Sequence, residues 1–221
     1  EVYQAQFRRY GIIEGRDQDE IVDLAQGFSV HRNLLPAGKR VGIFTASGGA
    51  GGWMADTAAA AGLEIPELDT ATRTSIDALL PPYGTSHNPV DGTAQVIRQK
   101  GYAEMSEMIA ASDNVDAVIA VSSARNPVGW EHERDRLMRV GRETKKPILL
   151  WAYHPPHPNV QKLVSQAGFS IYSNLRNCAT TLSAMVDYRA FREDFLKPTE
   201  VKTIDVDKKE ARARLDQSGP V

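Results

Sequence analysis

The chain has 221 residues, 42% of them hydrophobic and 24% charged, with a formal net charge of −2; this suits one globular core and argues against nucleic acid or an anionic membrane as main partner. No apolar run approaches the ~20 residues of a membrane span, and no signal-peptide pattern opens the sequence. Cys178 is the only cysteine, which rules out internal disulfides, argues against a cysteine-based zinc site and suits a reducing cytoplasm.

Residues 17–29 read as an amphipathic helix, with Asp17 as N-cap and Ile21, Val22, Leu24, Ala25 and Phe28 as its apolar face. From Lys39 onward, short apolar runs alternate with helical segments. A strand at 41–45 leads to a helix at 52–61, then a strand near 63–68 and a helix at 70–80 that stops at Pro81-Pro82. A helix at 96–111 carries Tyr102, Met105 and Ile109 along one face. A strand at 116–122, a charged helix at 131–142 and a strand at 147–152 follow. Pro158 suits the first turn of the next helix. A strand at 169–172 precedes a final helix capped by Asn174, in which Leu175, Cys178, Leu182, Met185 and Val186 face inward, so Cys178 reads as core packing.

Five short strands separated by helices form a βαβ succession. This predicts an α/β, three-layer, flavodoxin-like domain around a mainly parallel five-stranded sheet, with a helical N-terminal flank and a polar C-terminal tail. The division expected is 1–38 for the flank, 39–188 for the flavodoxin-like domain and 189–221 for a linker. Because the chain opens on Glu1 and closes on a polar stretch, it reads as a piece of a longer polypeptide. Ligands of such sheets bind beyond the carboxyl ends of the strands, where the loops at 46–52, 122–130 and 153–158 converge.

The first of these loops is the richest in chemistry. The strand at 41–45 runs through Ala46 and Ser47 into Gly48-Gly49-Ala50-Gly51-Gly52, a glycine turn opening a helix. Unpaired N–H groups and the helix dipole make such a turn an anion site, and glycine lets a phosphate approach the backbone. Neither the dinucleotide fingerprint nor a nucleoside-triphosphate P-loop fits its spacing. Two readings stand side by side: Ser47, Gly48, Gly49, Ala50 and Gly51 bind phosphate, or the glycines only let the helix pack closely on its strand.

The five histidines are scattered without metal-ligand spacing, so no metal site is expected. His154 sits at the mouth of the sheet, where it either contacts ligand or faces solvent. Ser86-His87-Asn88-Pro89-Val90-Asp91-Gly92 reads as a turn; functionally, Asn88 could donate to a carboxylate and Asp91 could hold the glycine loop open.

In order along the chain, Arg9-Tyr10-Gly11-Ile12-Ile13, the Gly48-Gly49-Ala50-Gly51 turn with Asp56 five residues on, Gly62-Leu63-Glu64, Leu80-Pro81-Pro82, Asn88-Pro89-Val90-Asp91 and Lys146-Pro147 resemble the nucleoside-diphosphate-forming acyl-CoA synthetases. These are relatives of ADP-forming acetate-CoA ligase and succinyl-CoA synthetase. The resemblance covers about residues 7–188 and places the chain as the second flavodoxin-like domain of such an enzyme.

That resemblance implies a ligase that joins a carboxylic acid to CoA with ATP, releasing ADP and phosphate through an acyl phosphate and a phosphohistidine. It implies CoA and ATP with magnesium as cofactors of the full enzyme, with phosphate possible in this domain. No catalytic residue is expected within this chain, since the phosphorylated histidine would lie in a partner domain. The partners implied are the CoA-binding, histidine-bearing and ATP-grasp domains or subunits, and a small carboxylic acid. Ser47 and the glycine turn would hold the phosphoryl group, while Asn88, Asp91, Ser122, Ser123 and His154 would lie about the acyl group. The alternative is a flavodoxin-like module that binds a nucleotide or flavin without a ligase role.

Overall fold

The computed structural model describes residues 2–197 and 208–217. Of the expected polar tail, 198–207 and 218–221 lie outside the described residues. The elements run α1 (Val2–Tyr10), α2 (Gln18–Val30), β1 (Val41–Thr45), α3 (Gly48–Ala60), α4 (Thr70–Asp77), β2 (Val90–Asp91), α5 (Thr93–Ala110) and β3 (Ala117–Ser122). They continue with α6 (Pro127–His132), α7 (Arg134–Glu143), β4 (Ile148–Ala152), α8 (Pro158–Gln166), β5 (Ser170–Tyr172), α9 (Leu175–Phe195) and α10 (Lys208–Gln217).

The five strands form one all-parallel sheet in the order β2-β1-β3-β4-β5, the flavodoxin-like order. Strands buried on both faces read as continuous apolar runs, and the faces divide by alternation. In β3, Ala117, Ile119 and Val121 pack with Met54 of α3 and Cys178 and Leu182 of α9. Val118 and Ala120 pack on the other face with Met105 of α5, Leu137 of α7 and Leu163 of α8. Helices therefore cover both faces. Cys178 lies fully inside the core, where burial pushes its thiol well above the usual range.

Local signals placed several boundaries. Asp17 accepts from the Glu20 N–H at 2.8 Å, Asn174 accepts from the N–H groups of Arg176 and Asn177, and Pro158 opens α8, each satisfying or sparing first-turn donors.

Other expectations are corrected. The segment at 63–68 is no strand: its backbone meets the sheet at a parallel bridge from Glu64 to Arg40, while Leu63 and Leu68 pack into the two cores. The edge strand is instead β2, inside the stretch read as a turn. The helix expected from 52 begins at Gly48, and that expected at 131–142 is two helices, α6 and α7. The helix at 96–111 starts earlier and breaks at Gly101, whose φ of 81° and ψ of 174° leave the helical region. On α2 the expected face holds in part: Leu24 is buried and Phe28 packs against the core, whereas Ile21, Val22 and Ala25 are exposed and Glu20, Gly27 and the C-cap His31 complete the buried stripe. α2 rests on α9, and a Cβ on Gly27 would strike the methyl of Thr181 and the Tyr172 hydroxyl. Glycine at that position sets the distance between the two helices.

Candidate anion cradle and switch-point cleft

β1 ends at Thr45, and the chain turns there through a pair of hydroxyl bonds. Thr45 Oγ1 accepts from the Ser47 N–H at 2.9 Å and donates to the Ser47 carbonyl at 3.0 Å. Ser47 is the N-cap residue of α3 in extended backbone, and its own side chain makes no capping bond. Its carbonyl accepts from the Gly51 N–H at 3.0 Å, the first bond of the helix. Among the described residues, the N–H groups of Gly48, Gly49 and Ala50 have no partner. They lie at the positive end of α3, beyond the carboxyl end of a central strand.

The glycines of the turn divide by role. A Cβ on Gly49 or Gly52 would meet nothing within 4 Å, whereas one on Gly51 would press on Thr45 Cγ2 at 2.8 Å and reach Pro89 at 3.5 Å. Gly51 thus serves close packing of α3 on β1, and its N–H is already committed. As a phosphate donor it is corrected out of the expected set, which contracts to Gly48, Gly49 and Ala50 beside the exposed Ser47. The close-packing reading of the glycine turn applies at Gly51, while the N–H groups of Gly48, Gly49 and Ala50 stay unpaired.

A second feature opens where the chain reverses direction in the sheet, between β1 and β3. In a sheet ordered 2-1-3-4-5 this is the topological switch point, where ligands of doubly wound folds bind. A cleft of about 530 Å³ lies there, lined by Ala46 after β1, Ser122 and Ser123 after β3, Tyr102 of α5, Trp130 of α6 and Tyr153 after β4. The ring of Trp130 stacks on Tyr102 at 4.7 Å with an interplanar angle of 7°, and Phe44 lies behind Tyr102 at 5.7 Å. Burial pushes the Tyr102 hydroxyl up to about 12, so it remains a donor at neutral pH.

The break at Gly101 forms one wall of this cleft. It gives the second half of α5 its own N-terminus, and Glu133 caps it by accepting from the Ala103 N–H at 2.8 Å. A Cβ on Gly101 would collide with the Glu133 carboxyl. Burial raises the carboxyl of Glu133 above the usual range, partly offset by the N–H groups it accepts from. The loop after β3 is pinned as well: Ser122 Oγ accepts from the Ala124 N–H at 3.1 Å, the Ser122 carbonyl from Tyr153 N–H at 3.0 Å, and the Ala124 carbonyl from His157 N–H at 2.9 Å. Ala124 sits at a φ of 50°, a region non-glycine residues rarely occupy.

The expected acyl-site residues are not gathered in one place. Ser122 and Ser123 line the cleft, whereas Asn88, Asp91 and His154 do not. Asn88 is corrected outright as a carboxylate donor. Its Nδ2 donates to the carbonyls of Val41 and Pro66, both at 2.8 Å, and its Oδ1 accepts from the Ile43 N–H at 2.9 Å; no N–H is left over. Asp91 Oδ1 accepts from the Thr93 N–H at 3.0 Å at the start of α5, and its Oδ2 would be 2.8 Å from a Cβ on Gly48. The carboxylate therefore rests against the glycine turn without a hydrogen bond to it. His154 is exposed, with its ring 5.1 Å from that of Tyr153.

Sequence reasoning missed Tyr102, Trp130 and Glu133 as cleft residues. Gly101, inside an otherwise helical pattern, was the one local signal of the break that brings them together. Among the described residues, no group of three or more His, Cys, Asp and Glu side chains is placed to hold a metal ion, and no helix is long and apolar enough to cross a membrane.

An all-parallel, switch-point sheet with unpaired main-chain donors at the start of α3 defines a flavodoxin-like α/β domain. The comparisons with known proteins place it further: the chain is similar to the NDP-forming acyl-CoA synthetase family. It is 28% identical over 191 residues to the alpha subunit of ADP-forming acetate-CoA ligase II of Pyrococcus furiosus, covering 84% of this chain and 41% of that protein. It is 24% identical over 223 residues to the ADP-forming 4-hydroxybutyrate-CoA ligase of Nitrosopumilus maritimus, covering 98% of this chain and 30% of that protein. Among solved structures it matches PH0766 of Pyrococcus horikoshii OT3 with a TM-score of 0.73 and 26% identity, over 86% of this chain and 44% of that one. It shares the fold of a dinucleotide-forming acetyl-CoA synthetase 1 of Ca. Korarchaeum cryptofilum, solved with phosphate and ADP, at a TM-score of 0.70 and 21% identity, over 90% of this chain and 43% of that one. The chain thus spans less than half the length of each of these proteins. No family model matches it.

Proposed function

We propose that this chain is the phosphoryl- and acid-binding domain of an ADP-forming acid-CoA ligase. The enzyme would join a carboxylic acid to CoA at the expense of ATP, releasing ADP and phosphate through an acyl phosphate and a phosphohistidine of a partner domain. The CoA-binding, histidine-bearing and ATP-grasp parts lie, on this reading, in other domains or subunits. None of the histidines here is the nucleophile. A cytoplasmic setting belongs to the same proposal.

The observation that carries it is the set of unpaired N–H groups on Gly48, Gly49 and Ala50. Phosphoryl transfer moves negative charge between oxygens, and donors already aimed at the place where it accumulates need no reorganisation during the reaction. Ser47, exposed and free of a capping bond, adds a hydroxyl. The acid would lie in the neighbouring cleft with its carboxylate toward α3, its body passing Ala46 toward Ser122 and Ser123.

The test is Gly49→Val in the intact enzyme. Its side chain would stand in open space, so folding is preserved while the approach of a phosphoryl group is blocked. Acyl-CoA formation should fall about 10²-fold or more, in the range lost with one oxyanion donor. Unchanged turnover would sink the proposal.

A further inference from the structure

The opposite end of the molecule carries a cluster of charge that this function does not use. α9 starts at the carboxyl edge of the sheet and runs for 21 residues, about 30 Å, so its last turns reach the amino ends of the strands. There Arg189 and Arg192 meet Arg32, from the link between α2 and β1, and Lys145, from the link between α7 and β4, around a cleft of about 500 Å³.

Four cations share that cleft with one carboxylate, Glu193, which pairs with Arg189 at 2.7 Å. Arg189 is also held in place by donating to the Leu35 carbonyl at 3.1 Å. Arg32, Lys145 and Arg192 are exposed and have no ion-pair partner among the described residues. Like charges brought together without counter-charge repel one another. Arg134, Arg136 and Arg139 are each paired with glutamate, whereas three of the four cations around this cleft are not, so its charge is concentrated and unbalanced. Leu34 and Leu35 supply an apolar wall.

We propose that this cleft binds a small molecule carrying a diphosphate, with the guanidinium forks of Arg32 and Arg192 and the Lys145 ammonium on the phosphate oxygens. Guanidinium matches phosphate geometry in bidentate fashion, and lysine adds a point charge. The volume fits a nucleotide-sized ligand, and the leucines would take its non-phosphate part. The site is separated from the α3 cradle by the length of the sheet and stands independently of the ligase reading. A free nucleoside diphosphate and CoA share this chemistry.

The test is amide chemical-shift mapping of the chain during titration with inorganic pyrophosphate, ADP and CoA, repeated on an Arg32→Gln/Arg192→Gln variant. Both positions are exposed, so the variant keeps its fold. Saturable shifts at 32–35, 145 and 189–193 are expected, with binding at least tenfold weaker in the variant. Tighter binding of ADP than CoA assigns a free nucleotide, and the reverse assigns CoA. No shifts at these residues, affinity unchanged by the variant, or equal displacement by a glutamate-rich peptide would each overturn the proposal, the last by making the cleft a dock for an acidic protein surface. Shifts at 48–50 report on the ligase reading separately.

Discussion

The side-chain amide of Asn88 occupies the position of a missing strand residue beside Ile43. Its Oδ1 accepts from the Ile43 N–H at 2.9 Å while its Nδ2 donates to the carbonyls of Val41 and Pro66. Beyond the single bridge at Glu64, the edge of β1 has no strand partner until Val90. One amide side chain closes the gap, since a buried main-chain N–H or C=O without a partner is costly.

Replacing Asn88 with Ala should therefore destabilise the domain. Val41 and Ile43 are fully buried, so their main-chain groups would lose a partner with little access to water. A loss of about 2–6 kcal/mol follows from ~1–3 kcal/mol for each of the two stranded groups. The check is a fall in the urea midpoint with an unchanged denaturant slope; a midpoint unchanged within error would show that water replaces the amide freely.

The glycines should separate by neighbourhood. Gly141→Ala places a Cβ against the Ala167 carbonyl, in the crossing of α7 over the end of α8, and should cost about 1–3 kcal/mol by overpacking. Gly52→Ala meets open space within α3 and should stabilise by up to about 1 kcal/mol through helix propensity. Opposite changes in thermal midpoint are expected. Changes of the same sign would contradict the packing described.

His31 gives the fold a dependence on pH. It is buried at the C-cap of α2, with its Nε2 3.0 Å from Ser170 Oγ, and burial lowers its imidazole to about 4 from 6.5. Folding favours the neutral ring, so the unfolded chain binds the proton first. Stability is complete above pH 6.5, declines as pH falls toward 4 and levels off below it. The drop from this group is on the order of 3 kcal/mol, since the unfolded chain gains about 1.4 kcal/mol for every pH unit crossed in that window. Comparing urea midpoints at about pH 7 and about pH 4.5 with those of His31→Gln isolates it: the variant should lose less on acidification, and equal losses would assign the effect elsewhere.

Glu133→Ala should remove the cap from the second half of α5 and leave the Ala103 N–H without its partner. A cost of about 1–2 kcal/mol is expected, with Glu133→Gln retaining part of the bond and part of the stability. Hydrogen exchange at Ala103 is the direct readout, and unchanged protection in the alanine variant would exclude the capping role.

The sequence alone determined the succession of strands and helices, the parallel sheet, the caps at Asp17 and Asn174 and the burial of Cys178. These rest on periodicities and on contacts within a few residues, both written locally. Only the tertiary structure decided that Val90-Asp91 rather than 63–68 forms the edge strand, that Asn88 belongs to the sheet, and that Gly51 packs where Gly49 stands open. It alone brought Tyr102, Trp130 and Glu133 to one cleft. Each of those outcomes turns on which donor is already satisfied and which neighbour a Cβ would strike, and those facts belong to residues distant in the chain.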